Sequence, residues 1–199
     1  IEAHALGQQS VVLAKPVQVD KVHGFADGVV SIQDYGAQLA AHLLDLQDGM
    51  KVLDACCAPG GKTGHILELA KVNMLAIDSD SERLQRVQSN LNRLQLKAQL
   101  MVADAGQADS LKAIAPFERI LADVPCSASG IVRRHVDIKW LRRAQDIASF
   151  SAQQARILHE LWQLLAKNGK LLYVTCSVFP EENQGQITQF LKMHDDALL

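Results

Sequence analysis

The strongest constraint on how this chain can fold is an alternation of short apolar runs with stretches of helical spacing. Lys51-Val-Leu-Asp-Ala-Cys, Asn73-Met-Leu-Ala-Ile-Asp, Gln99-Leu-Met-Val-Ala-Asp, Arg119-Ile-Leu-Ala-Asp and Lys170-Leu-Leu-Tyr-Val-Thr read as strands. Before and between them lie predicted helices. Asp34 can cap one with Leu39, Leu43, Leu44 and Leu46 on its apolar face, ending near Asp48-Gly49. Others are expected over 62–70 and over 80–94, the second capped by Asp80 or Ser81 and carrying Leu84, Val87, Leu91 and Leu94. A weak helix follows over 110–115. A long one over 146–167 carries Ala155, Leu158, Leu161, Trp162 and Leu165 and stops at Asn168-Gly169, a good C-terminal signal. A last helix is predicted over 181–194. Strands and helices alternating in this way specify an α/β protein, a doubly wound, mainly parallel sheet with right-handed crossovers. Residues 1–33, with weak alternation and scattered Gly and Val, are expected to form short strands, a lead-in or part of a small N-terminal subdomain; residues 34–199 form the main domain.

In an open parallel sheet, ligands bind beyond the carboxyl ends of the strands. The residues at those ends therefore carry the functional reading. Asp54-Ala-Cys-Cys-Ala-Pro-Gly-Gly-Lys leaves the first strand and opens a helix. Gly60 and Gly61 permit positive φ and a close backbone approach to a ligand, and the helix start beyond them favours a negative group such as a carboxylate. The loop matches neither G-x-G-x-x-G nor the phosphate-cradling G-x-x-x-x-G-K-[ST]. A plain glycine turn would read the same way if it stood alone. Strands two and three end in Asp78 and Asp104. An acid about 20 residues past the glycines can accept hydrogen bonds from ribose hydroxyls, and Asp104 could read an adenine amino group. Either acid alone could be a helix cap or a solvated loop residue. Three acids at three successive strand ends favour an adenosine-containing ligand.

The last two strands lead into Asp123-Val-Pro-Cys-Ser and Val174-Thr-Cys-Ser. Cys126 and Cys176 thus stand where two strands emerge, as two thiols at one cleft. A free cysteine has an ordinary pKa of about 8.5 and becomes a useful nucleophile beside a cation or a helix start. A free Cys is more often a small core residue. The repeated Cys-Ser context and shared position argue for chemistry, without ranking the two.

Bulk properties exclude other classes. The net charge of −2 does not advertise nucleic-acid binding, so any such surface is local. One candidate is Ile131-Val-Arg-Arg-His-Val-Asp-Ile-Lys-Trp-Leu-Arg-Arg, with five Lys/Arg against one Asp. It reads as a solvated helix face or as a phosphate-contacting strip. Trp140 within it is expected to anchor the segment to the core rather than to stack on a base. No apolar run approaches the roughly 18 residues of a membrane span, so no membrane partner is expected. Four cysteines, two of them vicinal, read as reduced thiols in a cytoplasmic protein, and no metal-ligand spacing occurs. The start Ile1-Glu-Ala-His has no basic-then-apolar signal layout, and an excised piece of a larger protein is expected.

These strings, with Arg133-Arg-His-Val-Asp-Ile-Lys-Trp, the extended Val174-Thr-Cys-Ser-Val-Phe-Pro-Glu-Glu-Asn and Ser31-Ile-Gln-Asp-Tyr-Gly-Ala-Gln-Leu-Ala, resemble the Sun/Fmu-type RNA (cytosine-5)-methyltransferases. The resemblance covers nearly the whole chain. It implies a Rossmann-like methyltransferase sheet, here without its last strands, a monomer, and S-adenosyl-L-methionine as cofactor. It places Cys57, Ala58, Pro59, Gly60, Gly61 and Lys62 at the methionine end, Asp78 and Arg83 at the ribose side, Asp104 near the adenine and Asp123 at both cofactor and base. It makes Cys176 the nucleophile on C6 of a cytosine in RNA (small-subunit, 16S ribosomal RNA), with Cys126 helping product release. Val136 departs from the family pattern, which has proline there. A DNA cytosine-5 methyltransferase, with the thiols exchanged, and an inactive RNA-binding or assembly module are the alternatives. A nicotinamide-linked dehydrogenase is weaker, because its glycine fingerprint is missing.

Overall fold

A computed structural model describes residues 1–6 and 9–199. Its centre is a sheet of five parallel strands, β3 (Lys51–Asp54), β4 (Asn73–Asp78), β5 (Gln99–Val102), β6 (Phe117–Asp123) and β7 (Leu165–Val174), in spatial order β5-β4-β3-β6-β7. The chain first winds outward from β3 through β4 to β5, then returns to place β6 on the other side of β3. The strand order reverses between β3 and β6, and the ligand crevice of such sheets opens there. A separate antiparallel hairpin pairs β1 (Ala3–Leu6) with β2 (Ser10–Leu13), Ala3 opposite Leu13.

The pleat explains the two layers. Val52, Met74 and Leu121 point to one face and meet Ala40, Ala41 and Leu44 of helix α1 (Tyr35–Leu43) and its end, and Ile66 of α2 (Gly61–Leu69). Ala76 on that face packs with Leu84, Val87 and Leu91 of α3 (Ser81–Arg93). Leu53, Leu75, Ile77, Ile120 and Ala122 point the other way, onto Leu111 of the short α4 (Asp109–Lys112) and Ile157 and Leu161 of α6 (Ala144–Trp162). Ahead of α6, the single-turn α5 spans Ile138–Leu141. The last helix, α7 (Gln184–Met193), packs on α6 with Phe190 edge-on to Trp162, ring centroids 5.3 Å apart.

Side-chain caps fix the starts of α1 and α3. Asp34 accepts from the Gly36 amide at 3.0 Å, and Asp80 accepts from Glu82 and Arg83 at 2.8 and 3.1 Å. Three expectations need correction. α1 ends at Leu43, not near Asp48-Gly49, so Leu46 lies beyond the helix. Leu39 and Leu43 of α1 are 47% and 58% exposed, because Ala40, Ala41 and Leu44 form the stripe that meets the sheet. The long helix ends at Trp162, not near Lys167, and β7 begins at Leu165. Asn168-Gly169 therefore terminates no helix. Phe117 pairs with Leu165 and Arg119 with Lys170, so 166–169 bulge out of the ladder, with Asn168 at φ +63°.

Candidate active site

Five strand ends and the loops beyond them surround one cleft of about 250 Å³. Its walls include Ala58, Asp78, Arg83, Asp104, Asp123, Cys126 and Cys176. Of the glycine loop over 57–62 only Ala58 lines this cleft; Pro59, Gly60, Gly61 and Lys62 are not among its walls. Gly60 adopts φ +96°, where an added Cβ would stand 3.2 Å from the Val87 Cα, so a side chain there would press on α3. Its amide donates to the Cys57 carbonyl at 2.7 Å, and α2 starts at Gly61. Pro59 forms the turn between. The Cys57 thiol is buried with Val87 and Leu91, away from the cleft, and burial pushes it well above the ordinary cysteine value. Cys56, its neighbour, faces the cleft wall instead.

The acids tie this loop to the sheet. Asp78 is buried; it accepts from the Ala58 amide at 3.2 Å and pairs with the Arg83 guanidinium at 3.5 Å, which also donates to the Ala58 carbonyl at 3.2 Å. Asp104 accepts from the Gly106 amide at 2.8 Å and lies 3.6 Å from Arg156. Lys62 reaches back from α2 to Asp123, its Nζ 2.5 Å from Oδ2. Beneath them Asp54 is 1% exposed. Its Oδ2 accepts from Thr63 at 2.7 Å and its Oδ1 has no partner. Burial raises its pKa to about 7, against the hydrogen bond from Thr63.

β6 and β7 run side by side with Asp123 opposite Val174. Two loops therefore leave adjacent strand ends, and their thiols meet: Cys126 Sγ and Cys176 Sγ are 3.5 Å apart. The sulfur hydrogen bond lowers the Cys126 pKa to about 7, against the opposing effect of burial, while the amides of Ala128 and Cys176 add support. The same contact holds the Cys176 proton, so Cys176 is pushed up. The pair thus sheds one proton near neutrality and keeps the second.

Sequence reasoning missed what holds the two loops. Glu182, in a 3₁₀ turn over Pro180–Glu182, is 0% exposed and accepts from Ser127 and Ser177, the residues that follow the two cysteines. The repeated Cys-Ser was the available signal. The basic strip also departs from expectation. Trp140 is 79% exposed rather than in the core, and Val136 and Leu141 are exposed beside it. Arg142 joins the strip to the site by donating to the Ser127 carbonyl at 2.8 Å.

The sequence model of the family described as "16S rRNA methyltransferase RsmB/F" matches residues 41–199. The chain belongs to this family. It is 48% identical over 199 residues to a protein of Serratia proteamaculans named ribosomal RNA small subunit methyltransferase B, covering all of this chain and 46% of that one. The chain spans about half the length of the curated relatives it matches. Among solved structures it resembles PH0851, with TM-score 0.85 and 33% identity over 90% of this chain and 41% of that one. It also resembles NSun6 of Pyrococcus horikoshii, solved with SFG, with TM-score 0.83 and 26% identity over 89% of this chain and 46% of that one.

S-adenosylmethionine is the cofactor of the RsmB/F family, and the cleft fits it. Asp78 and Asp104 line one end, as polar partners suited to ribose and base, and both thiols line the other. Ala58 of the glycine loop lines the wall beside Asp78. Among the described residues no helix is long and apolar enough to cross a membrane.

Proposed function

We propose that this domain transfers a methyl group from S-adenosylmethionine to C5 of a cytosine in ribosomal RNA, through a covalent bond between Cys176 and C6. The observation that carries the reading is the 3.5 Å contact of two thiols in the cleft that Asp78 and Asp104 enter from the other end. The cofactor, when bound, supplies an electrophilic methyl on a sulfonium. Everything else falls to the chain. Asp78, Arg83 and the loop over 57–62 hold the cofactor, with Asp104 toward the adenine. Lys62 and Asp123 form an ion pair at the base edge, where Asp123 stabilises the activated ring.

The resting pair holds one proton between two sulfurs. As Cys176 attacks C6, that proton passes to Cys126, and C5 becomes electron-rich. Once C5 carries the methyl, it must lose its own hydrogen. Cys126, its proton released to solvent, takes that hydrogen as H⁺; the C5–C6 double bond re-forms and the Cys176–C6 bond breaks. A single thiol could form the adduct but has no partner to resolve it. The cytosine must be unstacked to enter. The basic strip beside Ser127, with Trp140 exposed, is suited to the flanking RNA.

One observation favours a second reading. Cys126 is the thiol with the lowered pKa, which suits a DNA-type mechanism in which the Pro-Cys thiol attacks. Cys176 is the more exposed of the two, which suits attack from the Thr-Cys loop. The deciding experiment is methyl transfer from labelled cofactor to small-subunit ribosomal RNA and to duplex DNA. Label in RNA, recovered as 5-methylcytosine and lost in Cys176→Ala, supports the first. Label in DNA, lost only in Cys126→Ala, replaces it with the second.

A further inference from the structure

Glu182 spends a fully buried carboxylate on the two catalytic loops at once. Its Oε1 accepts from the Ser127 amide at 2.8 Å and from Gln154 at 3.1 Å. Its Oε2 accepts from the hydroxyls of both Ser127 and Ser177 at 2.5 Å. Its own carbonyl accepts from the Tyr173 hydroxyl at 2.7 Å, which anchors the turn to β7. Gln154 also donates to the Pro125 carbonyl at 2.9 Å, so α6 braces the same loop. Burial works to raise the Glu182 pKa, but the donors from Ser127, Ser177 and Gln154 outweigh it and hold the carboxyl below its usual value. The group is an anion at neutral pH with both oxygens committed.

Such an anion has a cost that ordinary packing does not need, since a buried charge is tolerated only when fully hydrogen-bonded. Here every donor but one comes from the two thiol-bearing loops. Beyond Val174 the ladder no longer joins the two loops. The Gly130 amide on the Cys176 carbonyl at 2.8 Å and Ser129 against Ser177 and Val178 tie them farther out, while Glu182 binds the residues directly after both thiols. We propose that Glu182 is a positioning residue that clamps the loop after Cys126 to the loop after Cys176 and so sets the distance between the two thiols. It does not line the cleft, and it acts through Ser127 and Ser177. The role rests on the two-thiol reading above, although the distance itself can be measured without RNA or cofactor.

The test uses disulfide formation as a ruler. Oxidised dithiothreitol exchanges with the pair: the reagent's S–S bond is reduced to its dithiol, and one Cys126–Cys176 bond forms as the two thiol hydrogens leave. Peptide mapping follows the rate in the whole chain. Glu182→Ala is expected to slow bridging by more than about tenfold. Glu182→Gln, which keeps a carbonyl acceptor and places an amide against two hydroxyls able to accept, should bridge at close to the parental rate. In turnover, Glu182→Ala should lower kcat by about 100-fold with the KM for cofactor unchanged, as expected when reacting groups move without loss of the binding site. Bridging at the parental rate in a folded Glu182→Ala protein overturns the proposal. Should that variant fail to fold, Ser177→Ala removes one strut and leaves the carboxylate three donors. Bridging slowed about threefold supports the clamp, and an unchanged rate overturns it. A slowed ruler in a protein that methylates no RNA cytosine overturns the reaction assigned above and leaves the clamp standing.

Discussion

Asp54 offers the sharpest test of the electrostatics beneath the cofactor loop. It is a carboxyl at 1% exposure with one oxygen unpartnered, and its pKa is raised from 3.8 to about 7. Between these values the folded protein holds a proton that the unfolded chain has released. Stability must then fall as pH rises through that window and level off above it. Three units at about 1.4 kcal/mol each set a ceiling of about 4 kcal/mol on the loss. Asp54→Asn keeps the acceptor for Thr63 and cannot ionise. The assay is urea unfolding of both proteins between pH 4.5 and 8, with the Asn variant subtracted from the parent so that every other titrating group cancels. The variant should gain on the parent by a few kcal/mol up to about pH 7 and by nothing further above it. A difference that is flat with pH would refute the burial argument.

The thiol pair predicts an alkylation profile. Iodoacetamide should modify Cys126 with a midpoint near pH 7, and Cys176→Ala should move that midpoint up, because the S–H donor that lowers it is gone. Gly130 donates to the Cys176 carbonyl at 2.8 Å, and a Cβ there would stand 2.8 Å from the same oxygen. Gly130→Ala should therefore cost about 1–3 kcal/mol in thermal or urea unfolding and slow Cys126–Cys176 bridging. Trp140→Ala, at a side chain 79% exposed, should change stability by less than about 0.5 kcal/mol yet weaken RNA binding roughly tenfold in a filter or anisotropy titration.

The sheet was legible where periodicity and boundaries agreed. Met74–Ile77 is a continuous apolar run between Asn73 and Asp78, and β4 has those limits. The bulge over 166–169 was not legible, because Asn168-Gly169 is chemically a good helix stop and only the pairing with β6 turns it into a kink in a strand. Leu39 and Leu43 misled for a related reason, since small alanines rather than leucines allow α1 to approach the sheet. Trp140 was expected inside because large aromatics usually are, and nothing local shows that α5 lies on the surface. At the site, the strand-end acids and both thiols were visible as residues. Their contact was not, since it depends on β6 and β7 being neighbours. Glu182 read as the start of a helix, because its partner Ser127 lies 55 positions away.

The central claim is that one thiol forms a bond to the base and the other resolves it. The most direct measurement is adduct mapping in Cys126→Ala incubated with S-adenosylmethionine and unmodified ribosomal RNA. The account predicts a protein–RNA species that survives denaturing electrophoresis and yields a cytosine-bearing peptide linked at Cys176. No adduct, or one linked in the parent protein at Cys126, would contradict it.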